Sequence, residues 1–132
     1  MPMINTRLLM AASGVAMAVA GAMLIFLPDE IAKLPASASD GALPIFLQLL
    51  GALYFAYGML NWVAKANPMG GIYGRPIGLA NLAHFTIGAL VLARYAVSNT
   101  ALLSVAATTI YIIFAVLFAA VVFGPPPIAK TP

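Results

Sequence analysis

Cysteine is absent from this 132-residue chain, and charge is scarce: six Lys or Arg, three Asp or Glu, and a single His. The first absence excludes disulfides, thiolate metal sites and thiol catalysis. Charged residues make up 7 per cent of the chain, against about 25 per cent in a soluble domain. A water-facing surface cannot be built from that supply. All the acids fall in one short stretch, at Asp29, Glu30 and Asp40. The net charge of +3 is too small and too scattered to attract nucleic acid.

Apolar residues are abundant, at 64 per cent of the chain, with a mean hydropathy of +1.06. They gather into four long runs, from about Leu8 to Leu27, Ile45 to Ala64, Ile77 to Ala93 and Ala101 to Phe123. About 20 helical residues cross a bilayer core of roughly 30 Å. Lipid offers a bare backbone no hydrogen bonds, so spans of this length must be helices. The expectation is an all-α fold: an integral membrane four-helix bundle, antiparallel up-down-up-down. Residues 1–132 form a single four-span domain, and 124–132 a short proline-rich tail.

The first span has Arg7 ahead of it, and Ala36-Ser37-Ala38 imitates a cleavage site. A signal-peptide core is only about 7–15 residues long; this run fills a membrane thickness, so retention is expected. Arg7, Lys65, Arg75 and Lys130 fall on the side of the termini and the second loop. Lys33 and Arg94 share the other side with all three acids. Basic residues near span ends favour the cytoplasm, which places both termini of this multi-pass chain there.

Turn formers separate the spans. Pro28, followed by Asp29 and Glu30, ends the first, and Ile31-Ala32-Lys33-Leu34 reads as a short interfacial turn. Asn67 to Pro76 is dense in Gly and Pro. Ser98-Asn99-Thr100 is expected to cap the fourth helix, and Gly124-Pro125-Pro126-Pro127 cannot continue it. Trp62, Tyr73 and Tyr95 stand near span ends, as interfacial aromatics do. Lys65 and Arg75 are best suited to lipid head groups.

Small residues line one side of the first span: Gly14, Ala18, Gly21 and Ala22. Such a seam lets helix backbones approach closely. Span four has the stripe Ser104, Thr108, Tyr111 and Ala115, read as packing with hydroxyls bonded back to their own helix. The middle spans hold most of the polar residues. Span two places Gln48, Gly51, Tyr54, Gly58 and Asn61 on one face; span three repeats the pattern with Gly74, Gly78, Asn81, His84 and Gly88. A hairpin about Gly70-Gly71 sets Asn61 beside Asn81, Gly58 beside His84 and Tyr54 beside Gly88.

His84 lies about eight residues into its span, roughly 12 Å deep at 1.5 Å per residue. An ionisable group there is a candidate functional residue by default. Its functional reading is an axial ligand to a haem or chlorophyll-type metal, or a proton relay. Its structural reading, which is preferred, is a neutral imidazole bonded across the hairpin to Tyr54, Tyr57 or a carbonyl. No acid lies within any span to polarise a base, so general acid–base catalysis has no pair to work with. Ser13 and Ser104 lack the base and oxyanion donors a serine nucleophile requires. No metal site and no cofactor are expected, the alternative being a tetrapyrrole ligated by His84.

The segment Leu49 to Leu90, LLGALYFAYGMLNWVAKANPMGGIYGRPIGLANLAHFTIGAL, resembles the middle of short four-helix bacterial membrane proteins whose families have no assigned function. The Leu-Asn-Trp end of span two and the Gly-Gly-Ile-Tyr turn carry that likeness. In size and hydropathy the chain is also similar to DoxX-type four-helix proteins. The resemblance implies a bacterial four-span protein and brings no activity or site with it. The expected role is non-enzymatic: an accessory or assembly subunit in a homo-oligomer or larger membrane complex, in contact with membrane lipid. The alternative is a binding protein for a quinone, isoprenoid lipid or tetrapyrrole, with His84, Asn81, Asn61, Tyr54 and Gly58 as its site.

Overall fold

A computed structural model of the chain describes residues 4–34, 41–67 and 74–124. It is all-helical, with no strand among the described residues. Five helices follow in order: α1 (Thr6–Phe26), α2 (Pro28–Ala32), α3 (Leu43–Ala64), α4 (Gly74–Ser98) and α5 (Leu102–Phe123). All but α2 are long and apolar enough to cross a membrane. The Ala36-Ser37-Ala38 sequence, Asp40, the Gly70-Gly71 turn and the proline tail lie outside the described residues.

The ends of these helices follow local chemistry. Proline disfavours the helical region for the residue before it, and Leu27 accordingly leaves the helix at φ −124°, ψ 40°. Pro28 then opens α2 at its first position, where no backbone N–H is required. The segment expected as an interfacial turn, Ile31–Leu34, begins as the end of this short helix at Ile31 and Ala32 and turns at Lys33 and Leu34, with the tighter bonds Lys33 N–H to Glu30 O and Leu34 N–H to Ile31 O. The third span was expected over 77–93, yet α4 runs over 74–98. Hydropathy reports hydrocarbon depth, whereas backbone hydrogen bonding continues through Arg94 and Tyr95 into the interface. Pro76 causes no break because it stands in the first turn.

The cap expected at Ser98-Asn99-Thr100 falls elsewhere. The N-cap of α5 is Ala101, with no side-chain cap bond. Asn99 instead makes a local turn, its Oδ1 accepting the Ala101 N–H at 3.1 Å while its Nδ2 donates to the Tyr95 hydroxyl at 2.7 Å. An Asn side chain that bonds two residues ahead closes a turn and leaves the helix to start after it.

The chain divides into two compact units, one of them Arg7–Ala66, which contains α1, α2 and α3, and the other containing α4 and α5. In the first, glycines of α1 and α3 meet backbone to backbone. A Cβ on Gly14 would come within 2.9 Å of the Gly58 carbonyl oxygen; one on Gly21 would come within 2.5 Å of the Phe55 nitrogen and 2.7 Å of the Gly51 oxygen. Residue numbers rise along α1 as they fall along α3, so the contact is antiparallel. Glycine costs a helix about 1 kcal/mol relative to alanine. Here that cost is offset by an approach no side chain would allow, which is the main source of helix association in lipid. Gly58 was expected to leave room for the His84 ring. The space above it is occupied by α1, since a Cβ there would meet the Ala18 nitrogen at 2.6 Å and the Gly14 oxygen at 2.7 Å.

In the second unit α4 and α5 form a hairpin across Asn99–Ala101, filled by aromatic rings. Phe85, 2 per cent exposed, stacks on Phe114 with centroids 4.7 Å apart and on Phe118 at 5.7 Å, and meets Tyr111 edge-on at 5.3 Å. Large apolar side chains are exposed on each unit, Leu53 and Val63 on the first and Leu90, Leu103, Ile113 and Val116 on the second. In water such faces would drive aggregation; against lipid tails they are at home.

Candidate functional site

Two buried polar clusters are built on these frames, one in each unit. In the first, Asn61 on α3 is fully buried beside α1. Its Nδ2 donates to Ser13 Oγ at 3.2 Å and approaches Met17 Sδ at 3.9 Å. Ser13 Oγ in turn donates to the Met10 carbonyl at 3.1 Å. Met10, Ser13, Gly14, Met17 and Gly21 are all buried on one side of α1, so the amide is pointed into the seam by the same periodicity that brings the glycines together. A second tie lies toward the other end, where Gln48 Nε2 donates to the Ile25 carbonyl at 3.4 Å. Tyr54 stands on α3 one turn from Gly58 and is half-buried.

Asn61→Leu removes the donor and forces a branched side chain toward Ser13. Intramembrane polar contacts average about 0.6 kcal/mol, so a loss of about 1 kcal/mol in detergent unfolding is expected. In a double-mutant cycle with Ser13→Ala, the two losses should fall short of additive. Strict additivity would mean that Asn61 and Ser13 do not interact.

The second cluster belongs to α4 and α5. His84 is half-buried, and its Nε2 lies 3.4 Å from the Tyr111 hydroxyl, with the rings tilted at 45° and centroids 5.6 Å apart. Gly88, one turn along α4, makes the notch into which the Tyr111 ring fits; a Cβ there would run into that ring. The aromatic expected over Gly88 was Tyr54, and Tyr111 fills that space. Asn81, fully buried one turn before His84's neighbour Phe85, donates its Nδ2 to the Ile77 carbonyl of its own helix at 2.9 Å.

Of the stripe on α5, Ser104 and Thr108 bond back locally as expected, whereas the Tyr111 hydroxyl faces His84 on α4. Ser104 Oγ donates toward the Asn99 and Ala101 carbonyls at 2.6 and 2.7 Å, and Thr108 Oγ1 donates to the Ser104 carbonyl at 2.7 Å. What sequence reasoning missed was the partner of each face. Ser13 and Met17 were not linked to Asn61, nor Tyr111 to His84. The available signals were the seven-residue spacing shared by Gly14/Gly21 and Gly51/Gly58, and the near-equal distance of Gly88 and Tyr111 from the Asn99 turn.

Chemically, the first cluster joins an amide, a hydroxyl and a thioether, and the second an imidazole and a phenol. His84 Nε2 faces a phenol, so binding a metal through that nitrogen would require Tyr111 to yield. Comparisons with protein-family models, with curated proteins and with solved structures find no match.

Proposed function

We propose that this chain is a non-enzymatic, polytopic subunit of a membrane assembly, acting through helix contacts within the bilayer. Four long apolar helices make it a membrane protein. The observation that carries the finer reading is how the polar and small residues are used. Ser13, Asn61, Ser104 and Thr108 bond within helix pairs or to their own helices, and the glycines of α1 and α3 meet each other. What is left to meet partners is a set of large apolar faces. Their match to the hydrocarbon core suits a subunit whose neighbours are lipid and other helices. The charge bias that puts Arg7 with Lys65 on one side supports cytoplasmic termini and an up-down-up-down course, and the resemblance noted above suggests a bacterial inner membrane.

Extraction in mild detergent is expected to recover an assembly larger than one chain, homo- or hetero-oligomeric, and crosslinking in native membranes should capture the same neighbour. A clean monomer by mass with no crosslinked partner overturns the reading. The second reading is a binder of a quinone, isoprenoid lipid or tetrapyrrole beside His84 and Asn81. It is supported by the imidazole–phenol pair inside the span, an arrangement able to accept or donate one hydrogen bond to a ligand oxygen. A visible absorption band in the purified protein, or one lipid co-purifying in stoichiometric amount, would favour it over the first.

A further inference from the structure

At one end of the α1–α3 pair the facing stripes change from glycine to cation. Gly14 and Gly21 on α1 meet Gly58 and Gly51 on α3, each pair seven residues apart. Seven residues fall about 20° short of two full turns, so the next members of the two stripes are Arg7 and Lys65. The helices run antiparallel, so both belong to the same end: Arg7 in the first turn of α1, Lys65 at the C-cap of α3. The glycine contacts hold the backbones close, and two positive side chains continue the facing stripes just beyond.

Among the described residues, no acid lies at that end of the pair. The chain has only three acids. Asp29 and Glu30 belong to α2, past the opposite end of α1; Asp40 lies outside the described residues. Arg7 also stands at the positive end of the α1 dipole, where an anion is favoured and a cation is not. Lys65 is held in place, with its ammonium 2.9 Å from the centroid of the Trp62 ring. Trp62 is 48 per cent exposed, and Leu8 and Val63 beside the two cations are 66 and 73 per cent exposed.

We propose that Arg7 and Lys65, with Trp62 beside them, bind the phosphate of an anionic phospholipid whose head group lies across the end of the α1–α3 seam. The guanidinium offers a fork that matches two phosphate oxygens, and the ammonium a point charge. Trp62 stands at the level where indoles meet head groups. A lipid is favoured over free phosphate because Trp62, one turn before Lys65, is half exposed and both cations end helices long and apolar enough to cross a membrane. The assignment needs only the α1–α3 packing and is independent of any assembly role.

The test is native mass spectrometry of the full chain after exchange into mixed phosphatidylglycerol and phosphatidylcholine, read as the ratio of the two lipids retained. The parent is expected to retain phosphatidylglycerol preferentially. Each basic residue near a membrane surface contributes about fivefold to anionic-lipid binding, so Arg7→Gln and Lys65→Gln should each lower the preference about that much. The double variant should lower it about 25-fold, while Lys33→Gln, at the other end of the pair, should leave it intact. An unchanged preference in the double variant, an equal fall in Lys33→Gln, or no preference in the parent overturns the proposal. Displacement of the lipid by inorganic phosphate at matched concentration would assign the site to a soluble anion and overturn it as well. Circular dichroism and thermal midpoint of each Gln variant, expected to match the parent, separate lost binding from lost fold.

Discussion

Gly58→Leu is expected to lower stability in detergent by about 3 kcal/mol, and Gly21→Leu by a similar amount. Overpacking a tight contact costs roughly 1–3 kcal/mol, and these sites fall at the upper end because the obstacle is backbone. At Gly58 even a methyl group would sit 2.6 Å from the Ala18 nitrogen; at Gly21 it would sit 2.5 Å from the Phe55 nitrogen. A flexible side chain can turn aside, but a helix backbone has to move as a body. Relief therefore means separating α1 from α3, which would also weaken the Asn61–Ser13 bond. Gly41 supplies the control, since nothing lies within 4 Å of a Cβ built there and Gly41→Ala should leave the thermal midpoint unchanged. A Gly58→Leu protein as stable as the parent would show that the seam is not what holds this pair.

Phe85→Ala should cost about 3 kcal/mol, the second large effect. Truncating a buried aromatic in a soluble core costs about 3–5 kcal/mol through lost transfer and an unfilled cavity. In lipid the transfer part is smaller, because hydrocarbon surrounds both states, and the lost packing dominates. Phe85 contacts three other rings, and Phe118 beneath it is completely buried, so the vacancy cannot collapse without moving α5. Phe123, 78 per cent exposed at the end of the same helix, is the matched control. Phe123→Ala should cost a few tenths of a kcal/mol at most. Equal losses at the two positions would mean that the α4–α5 hairpin is not packed through Phe85.

The four long helices were legible because membrane thickness imposes a length on any apolar run that spans it. Helix ends were less so. The terminal turns of α4 hold Gly74, Arg75, Arg94 and Tyr95, residues that hydropathy assigns to water although their backbone stays helical. The seam on α1 was visible as Gly14, Ala18, Gly21 and Ala22, and the polar stripe on α3 as Gly51, Gly58 and Asn61. Each stripe reveals that a close neighbour exists without revealing which helix supplies it. The few Gly- and Pro-rich residues after Asn67 in the sequence made α4 the obvious neighbour for α3, yet the space over Gly58 is taken by α1. His84 stood out because it is the only imidazole and lies deep in a span. Its contact with Tyr111 was hidden because a tyrosine in an apolar stripe looks like any other packed ring.

The arrangement of contacts also bears on how the chain is made. The glycine seam joins helices that lie between Arg7 and Ala66, and the Phe85 stack needs only residues as far as Phe118. Pairing that involves neighbours in sequence closes small loops and is fast, and chains are delivered from the N-terminus at about 5–20 residues per second. The ribosome therefore has to release only the first half of the polypeptide before α1 and α3 can zip together. The partner of the Asn61 donor, Ser13, is encoded 48 residues upstream, so that donor does not depend on a group made later.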